Sequence, residues 1–172
     1  MTENTNPKHV MIAIDRSLSM AAKNDLLLSR YERAKSSIKK LLESSELMYT
    51  GLISFSNVVE PIRMISDDKN YLLKGLSLLS KPSDRYSTID HVFDYTNSQM
   101  RYTKEPRYLI IFTDGQFKLN GSLKNKAKLY NITPIFVDIT LNKHVKEYRA
   151  KHTHPIPNQD VLLVNDSTQL TG

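Results

Sequence analysis

The residues best suited to chemistry lie in the segment Asp15 to Ser19, directly after an apolar run. Here Asp15, Ser17 and Ser19 bring one carboxylate and two hydroxyls to the end of a predicted strand. Oxygen ligands of this kind suit Mg²⁺, Mn²⁺ or Ca²⁺ better than zinc or copper. Taken alone, the segment could equally be a polar loop in which Asp15 caps the turn.

Two later positions offer oxygen atoms of the same kind. Thr88 directly precedes a predicted helix, and Asp114 follows the apolar run Arg107 to Thr113. Each also has an ordinary explanation, because Thr88 could simply start a helix and Asp114-Gly115 is a common turn pair. Only a fold that brings these positions to Asp15 would make them one site.

Short apolar runs rich in Ile, Val and Phe predict the strands of a buried sheet. They are His9 to Asp15, Tyr49 to Ser56, Arg107 to Thr113, Ile132 to Ile139 and Val161 to Val164. The run Val58 to Ile65 is weaker because it contains Pro61, and proline belongs on edge strands rather than in a central ladder. We therefore predict an antiparallel edge strand there, joined to the preceding strand by a turn at Ser56-Asn57.

Apolar residues at helical spacing predict helices between these strands. The three clearest faces are Tyr31, Ala34, Ile38, Leu41 and Leu42; Leu72, Leu73, Leu76 and Leu79; and Ile89, Val92, Phe93 and Met100. Ser29 and Glu32 are spaced as a capping box at the start of the first helix. Weaker patterns indicate helices near Leu123 to Tyr130 and Lys143 to Lys151.

Alternating strands and helices imply right-handed crossovers and an α/β fold. We predict a doubly wound, mostly parallel six-stranded sheet in the order 3-2-1-4-5-6, with helices on both faces and strand 3 as an antiparallel edge. In that order Asp15 and Asp114 leave adjacent strands at their carboxyl ends, and Thr88 can reach the same crevice. Residues 1–8 are expected to form a disordered leader, and residues 9–172 a single domain with a short or truncated final helix.

Composition limits the classes of function. Cysteine is absent from the 172 residues, which excludes disulfides, a thiolate nucleophile and a thiolate zinc site. No run reaches the roughly 18 apolar residues of a membrane span, and the polar start lacks a secretory signal, so a cytoplasmic protein without a membrane partner is expected. The net charge of +6 suits an anionic partner but is also an ordinary solubility charge.

The pattern Asp-x-Ser-x-Ser at residues 15–19, Thr88, and Thr-Asp-Gly at residues 113–115 resembles the metal-ion-dependent adhesion site of von Willebrand factor A domains. The resemblance runs in order and spacing from about His9 to Leu170. It implies that Ser17, Ser19 and Thr88 contact a metal directly, and that Asp15 and Asp114 act through water. It also implies Mg²⁺, with Mn²⁺ or Ca²⁺ as alternatives, and an open position for a partner's Asp or Glu carboxylate. Such a partner could be an ATPase or a multiprotein complex.

The sequence departs from the family pattern at several positions. Leu18 stands where many members have glycine, and Tyr86-Ser87 stands where glycines precede the threonine. Bulky side chains at these positions are expected to narrow access to the metal. Arg16 could weaken cation binding or supply a second contact for an acidic ligand.

The leading hypothesis is therefore a non-enzymatic, metal-dependent protein-interaction domain. The alternative is nucleic-acid or ribonucleoprotein binding through the basic late helices, residues 124–128 and 143–151. A phosphatase with Asp15 as nucleophile is disfavoured, because Ser17 occupies the place of the acid that would donate a proton. His144, His152 and His154 lack the spacing of a helical metal-ligand pair.

Overall fold

The computed structural model describes residues 8–23, 28–44, 48–84, 88–103, 106–115, 123–139 and 161–163. The strands are β1 Lys8–Asp15, β2 Met48–Phe55, β3 Val59–Ser66, β4 Arg107–Thr113, β5 Thr133–Asp138 and β6 Val161–Leu163. The helices are α1 Arg30–Ser44, α2 Lys69–Leu76, α3 Asp90–Met100 and α4 Leu123–Tyr130, and a short 3-10 turn spans Leu18–Ala21.

A mixed, mostly parallel sheet forms the centre of the molecule. The strand order is β3-β2-β1-β4-β5-β6. Strand β2 pairs with β3 in the antiparallel sense, and the other neighbouring pairs are parallel. The predicted α/β fold with a mostly parallel sheet and helices is therefore confirmed for β1 to β5, and the three residues of β6 lie beside β5.

The sheet is covered on both faces, because its central strands are apolar on both sides. Helices α1 and α2 pack on one face, where Ile38 and Leu72 meet the alternate β1 residues that include Ile12. Helices α3 and α4 pack on the other face, where Phe93 meets Ala13. Two apolar cores separated by the sheet thus hold β1 in the middle, so its carboxyl end has a fixed position.

Strand β3 forms one edge of the sheet. Pro61 lies within it opposite Ile53 of β2, and the connection is the tight turn in which the Ser56 amide donates to the Val58 carbonyl at 3.0 Å. Arg63 of β3 also contacts α2, since its Nε donates to the Tyr71 carbonyl at 2.9 Å. Helix α2 runs so close to Arg63 that a Cβ on Gly75 would lie 2.6 Å from the Arg63 Cγ.

Some predicted features lie outside the described residues. They are the helix at Lys143 to Lys151, the histidines at 144, 152 and 154, and the end of the chain after Leu163. Of the expected leader, residues 1–7 also lie outside, whereas Lys8 already belongs to β1. In the part of the chain that the structure describes, no helix combines the length and apolar character that crossing a membrane requires.

Candidate metal centre

The two aspartates lie at the carboxyl ends of neighbouring central strands. Asp15 is the last residue of β1, and Asp114 directly follows β4. Both are buried, with 0% and 2% of their surface exposed. The Thr113 hydroxyl donates to Asp15 Oδ2 at 2.8 Å and accepts from the Gly115 amide at 3.1 Å. Thr113 therefore holds the loop after β4 against the end of β1.

The two serines continue directly from β1. The Ser17 amide donates to Asp15 Oδ1 at 2.8 Å, which folds the chain back on the aspartate. The Ser17 and Ser19 hydroxyl oxygens lie 3.1 Å apart. Neighbouring ligands of an octahedral Mg²⁺, each about 2.1 Å from the metal, are separated by roughly 3 Å. The spacing of the two hydroxyls therefore fits adjacent positions on one cation.

Thr88 reaches the same edge of the sheet by way of β2. Its amide donates to the Ser56 carbonyl at 2.9 Å, and Ser56 follows Phe55, the residue of β2 that is paired with Asp15. Residues 85–87, which include the predicted bulky pair Tyr86-Ser87, lie outside the described residues. The structure thus joins Asp15, Ser17 and Ser19 by hydrogen bonds and places Asp114 and Thr88 at the ends of the flanking strands.

The charges at this edge favour a cation. Burial, and then repulsion by the neighbouring Asp114 carboxylate, raise the pKa of Asp15 from 3.8 to about 6, although hydrogen bonds from Ser17 and Thr113 act in the opposite direction. Two carboxylates held close together in a buried place repel each other unless a positive charge lies between them. A divalent cation would supply such a charge.

One positive charge, that of Arg30, is already present at this edge, and sequence patterns do not predict it. Arg30, the first residue of α1, places Nη1 3.1 Å from Asp114 Oδ2 and 3.3 Å from the Ser19 main-chain carbonyl oxygen. The Arg30 side chain is 20% exposed, whereas that of Asp114 is fully buried. Periodicity could not have revealed this contact, because 84 positions separate the two residues along the chain.

Arg16 is paired with acidic and polar groups of the protein itself. Its guanidinium forms ion pairs with Glu60 at 3.5 Å and Asp84 at 3.6 Å, and Nη1 donates to the Ser83 hydroxyl at 2.7 Å. The Ser56 hydroxyl donates to the same Asp84 carboxylate. The charge of Arg16 is therefore met inside the protein, which favours a role in fixing the loop over contact with an outside ligand.

Leu18 lies between the two candidate serine ligands and is exposed to solvent. The residue is 47% exposed, while its amide donates to the Asp84 carbonyl at 2.6 Å. Leu28, which precedes α1, is similarly exposed at 49%. The departure from glycine at position 18 thus adds an exposed apolar group directly between the two serines.

Other groups in the described part of the chain are less suited to metal binding. No three His, Asp or Glu side chains are grouped there as a metal site, and the proposed ligand set contains only two carboxylates. In the basic helix α4, Lys126 is paired with Asp94 at 3.0 Å and lies 3.9 Å from Asp90. Of the predicted basic surface at residues 124–128, Lys126 is therefore neutralised within the protein.

Comparisons with known proteins agree with this architecture. The structure is similar to BatB from Bacteroides thetaiotaomicron, with 26% identity over 76% of this chain and 65% of BatB, and a TM-score of 0.60. The chain thus spans slightly less than two thirds of BatB. It is also similar to an aerotolerance-related membrane protein from Bacteroides fragilis, with 21% identity, 95% and 83% coverage and a TM-score of 0.63.

A third similar structure is the manganese-loaded TRAP protein of Plasmodium vivax, with 15% identity, 96% and 71% coverage and a TM-score of 0.67. A comparison with curated protein sequences found no match. The model of the von Willebrand factor type A domain family matches residues 10–116, which is more than half of the chain and includes Asp15, Ser17, Ser19, Thr88 and Asp114. The chain therefore belongs to the von Willebrand factor type A domain family, a family of general protein-interaction modules.

Proposed function

We propose that this domain binds a partner protein through a divalent cation at the ends of β1 and β4. Ser17, Ser19 and Thr88 bind the cation directly, and Asp15 and Asp114 hold it through water. The observation that carries the proposal is the pair of serine hydroxyls 3.1 Å apart beside two buried aspartates. Mg²⁺ is the expected ion, and Mn²⁺ should replace it.

The ligand set explains why such a cation would recognise a partner. Hydroxyl ligands are neutral, so a cation bound by Ser17, Ser19 and Thr88 keeps most of its positive charge. The strongest additional ligand that a protein can offer it is the carboxylate of an Asp or Glu. We propose that this interaction takes place in the cytoplasm.

The hydrogen bonds of Asp15 support binding rather than catalysis. Both of its carboxylate oxygens accept hydrogen bonds, one from the Ser17 amide and one from the Thr113 hydroxyl. A nucleophile needs an oxygen that can approach a substrate, and Asp15 has no exposed surface. Asp15 is therefore better suited to orient Ser17 and the bound water than to attack a substrate.

Direct metal binding is the first test. Calorimetric titration of the purified chain with Mn²⁺ should show one ion bound per chain, and Ser17→Ala should weaken binding about tenfold because it removes one direct ligand. Ser98→Ala is the matched control, since the Ser98 hydroxyl lies on α3 and donates to the Tyr95 carbonyl within that helix. Equal affinities for the Ser17 and Ser98 variants, or no binding by the wild type, would contradict the proposal.

Dependence of partner binding on the metal is the second test. Affinity capture with wild type and Thr88→Ala, each with Mg²⁺ or with a chelator, should recover a partner only with wild type and Mg²⁺. A partner held equally in all four samples is not bound through the cation. Binding of nucleic acid that weakens steeply with salt and is unchanged by the chelator would instead support the alternative, nucleic-acid binding through the basic residues 124–128 and 143–151.

A further inference from the structure

Arg30 places a positive charge beside Asp114, one of the two carboxylates that the proposed cation needs. Its Nη1 lies 3.1 Å from Asp114 Oδ2 and 3.3 Å from the carbonyl oxygen of Ser19. One guanidinium nitrogen thus contacts two of the residues in the proposed site. This inference rests on the proposed function and concerns the regulation of the same site.

The ion pair between Arg30 and Asp114 stabilises the protein when no metal is bound. The Asp114 side chain has no exposed surface, and a buried carboxylate is strongly destabilised unless a charged or hydrogen-bonding group meets it. Arg30 meets this requirement in the absence of a cation. A divalent ion at Ser17 and Ser19 would repel the guanidinium and would need the Asp114 oxygen to hold its water.

The position of Arg30 allows it to withdraw without a change of fold. Its backbone amide donates to the Ala22 carbonyl at 2.9 Å, so the main chain at the start of α1 is tied independently of the side chain. The side chain itself is 20% exposed. Rotation about its side-chain bonds is enough to move the guanidinium from the site into solvent.

We infer that Arg30 is an intramolecular competitor of the metal. In the metal-free protein its guanidinium occupies the anionic edge formed by Asp114 and Ser19, and it must leave when the divalent cation binds. The apparent metal affinity is then reduced by the fraction of molecules in which Arg30 occupies the site. Arg30 thereby sets the cation concentration at which the domain becomes able to bind a partner.

Substitutions of Arg30 distinguish competition with the metal from a purely structural role, in which Arg30 would act only as a brace for Asp114. Arg30→Gln removes the competing charge and should bind Mn²⁺ about tenfold more tightly than wild type in calorimetric titration. Arg33→Gln is the matched control, because it removes the same charge from the next turn of α1, where the Arg33 guanidinium donates to the Ile139 carbonyl. Its affinity should stay within about twofold of wild type.

Thermal unfolding provides a readout that does not depend on a partner. In chelator, Arg30→Gln should melt below wild type because the ion pair between Arg30 and Asp114 is lost. A fixed excess of Mn²⁺ should then raise its Tm by more than it raises that of wild type, since tighter binding stabilises more. Arg30→Lys keeps the charge but offers a single ammonium in place of the fork, so its Mn²⁺ affinity should lie between those of wild type and Arg30→Gln.

The outcomes distinguish this inference from the proposed function. If wild type binds Mn²⁺ and Arg30→Gln and Arg30→Lys bind it equally or less tightly, Arg30 is a brace, the competition is refuted, and the metal site stands. If wild type binds Mn²⁺, Arg30→Gln binds it more tightly and Arg30→Lys has an intermediate affinity, both the competition and the metal site are supported. If neither wild type nor either Arg30 variant binds Mn²⁺, both the competition and the proposed metal site are refuted.

Discussion

Asp15 is held in an environment that disfavours its own charge. Its pKa in the folded protein is raised to about 6 by burial first and by Asp114 second, compared with 3.8 for an ordinary aspartate. The folded chain therefore binds a proton more readily than the unfolded chain does between these two values. This proton stabilises the folded state fully below about pH 4, and the stabilisation is lost as the pH rises through about 6.

Replacement of Asp15 by asparagine should therefore stabilise the metal-free protein. At pH 7.5 in chelator, Asp15→Asn is expected to raise the free energy of unfolding by about 1–2 kcal/mol, because removal of the buried charge outweighs the loss of Oδ2 as acceptor for the Thr113 hydroxyl. Denaturant unfolding between pH 4 and pH 7.5 measures this difference. The loss of stability between about pH 4 and 6 should be smaller than in wild type.

Asp94→Asn provides a control of opposite sign. Partial burial raises the pKa of Asp94, but hydrogen bonds from Tyr130 and Lys126 outweigh it and lower the pKa overall. Its charge therefore stabilises the fold at neutral pH, and Asp94→Asn should lose stability there. If Asp15→Asn also proved less stable than wild type at pH 7.5, Asp15 would not be the strained group that its surroundings indicate.

Single residues also show where sequence patterns fail. Asp15, Ser17 and Ser19 could be recognised because they are neighbours in the chain and follow an apolar strand. The contacts of Arg30 with Asp114 and of Arg16 with Glu60 join residues that are far apart in the chain. These contacts form only where helices and loops pack against the edge of the sheet. The spacing of residues in the sequence does not predict that packing.

At the scale of elements, burial made most of the strands predictable. The run Arg107 to Thr113 was predicted with the bounds that β4 has, because apolar residues occupy both of its faces. The predicted cap at Ser29 is confirmed, since its hydroxyl accepts from the Glu32 amide at 3.0 Å. The leucine pattern of the second helix extends to Leu79, but α2 ends at Leu76. Leu79 is nevertheless buried. At this position the apolar spacing therefore indicated a core residue and not a further turn of helix.

The close approach of α2 to β3 should make Gly75 intolerant of a side chain. Alanine is preferred over glycine inside a helix by about 1 kcal/mol, so Gly75→Ala would stabilise an unhindered helix. Here the new Cβ would lie 2.6 Å from the Arg63 Cγ and 3.3 Å from a methyl group of Leu52. We expect a net loss of about 1–2 kcal/mol in the free energy of unfolding.

Denaturant unfolding of Gly75→Ala measures this loss. Lys74→Ala is the neighbouring control, because Lys74 is exposed on the same helix and its substitution should change stability by no more than about 0.5 kcal/mol. A Gly75→Ala variant as stable as wild type would mean that α2 can move away from Arg63 without cost.

At the scale of the whole molecule, the two cores should unfold together because they share the sheet. Ile38 of α1 lies in one core and Val92 of α3 in the other. Ile38→Val is expected to cost about 1 kcal/mol and Val92→Ala about 2 kcal/mol. Since the sheet separates the sites, the double variant should lose the sum to within about 0.5 kcal/mol, in a single transition.

Circular dichroism and tyrosine fluorescence during denaturant unfolding check this expectation. Tyr31 and Tyr95 pack with different cores, so tyrosine fluorescence samples both faces of the sheet. Two separate transitions, or different midpoints for the two probes, would show that the faces are independent units rather than one cooperative domain.

The edge strand β3 has a consequence for self-association. An exposed edge offers unpaired amides and carbonyls to the sheet of another molecule, which is a common route to aggregation. Pro61, within β3, has no amide hydrogen to offer. Because an incoming strand would lack this donor, β3 discourages the joining of copies into continuous sheets.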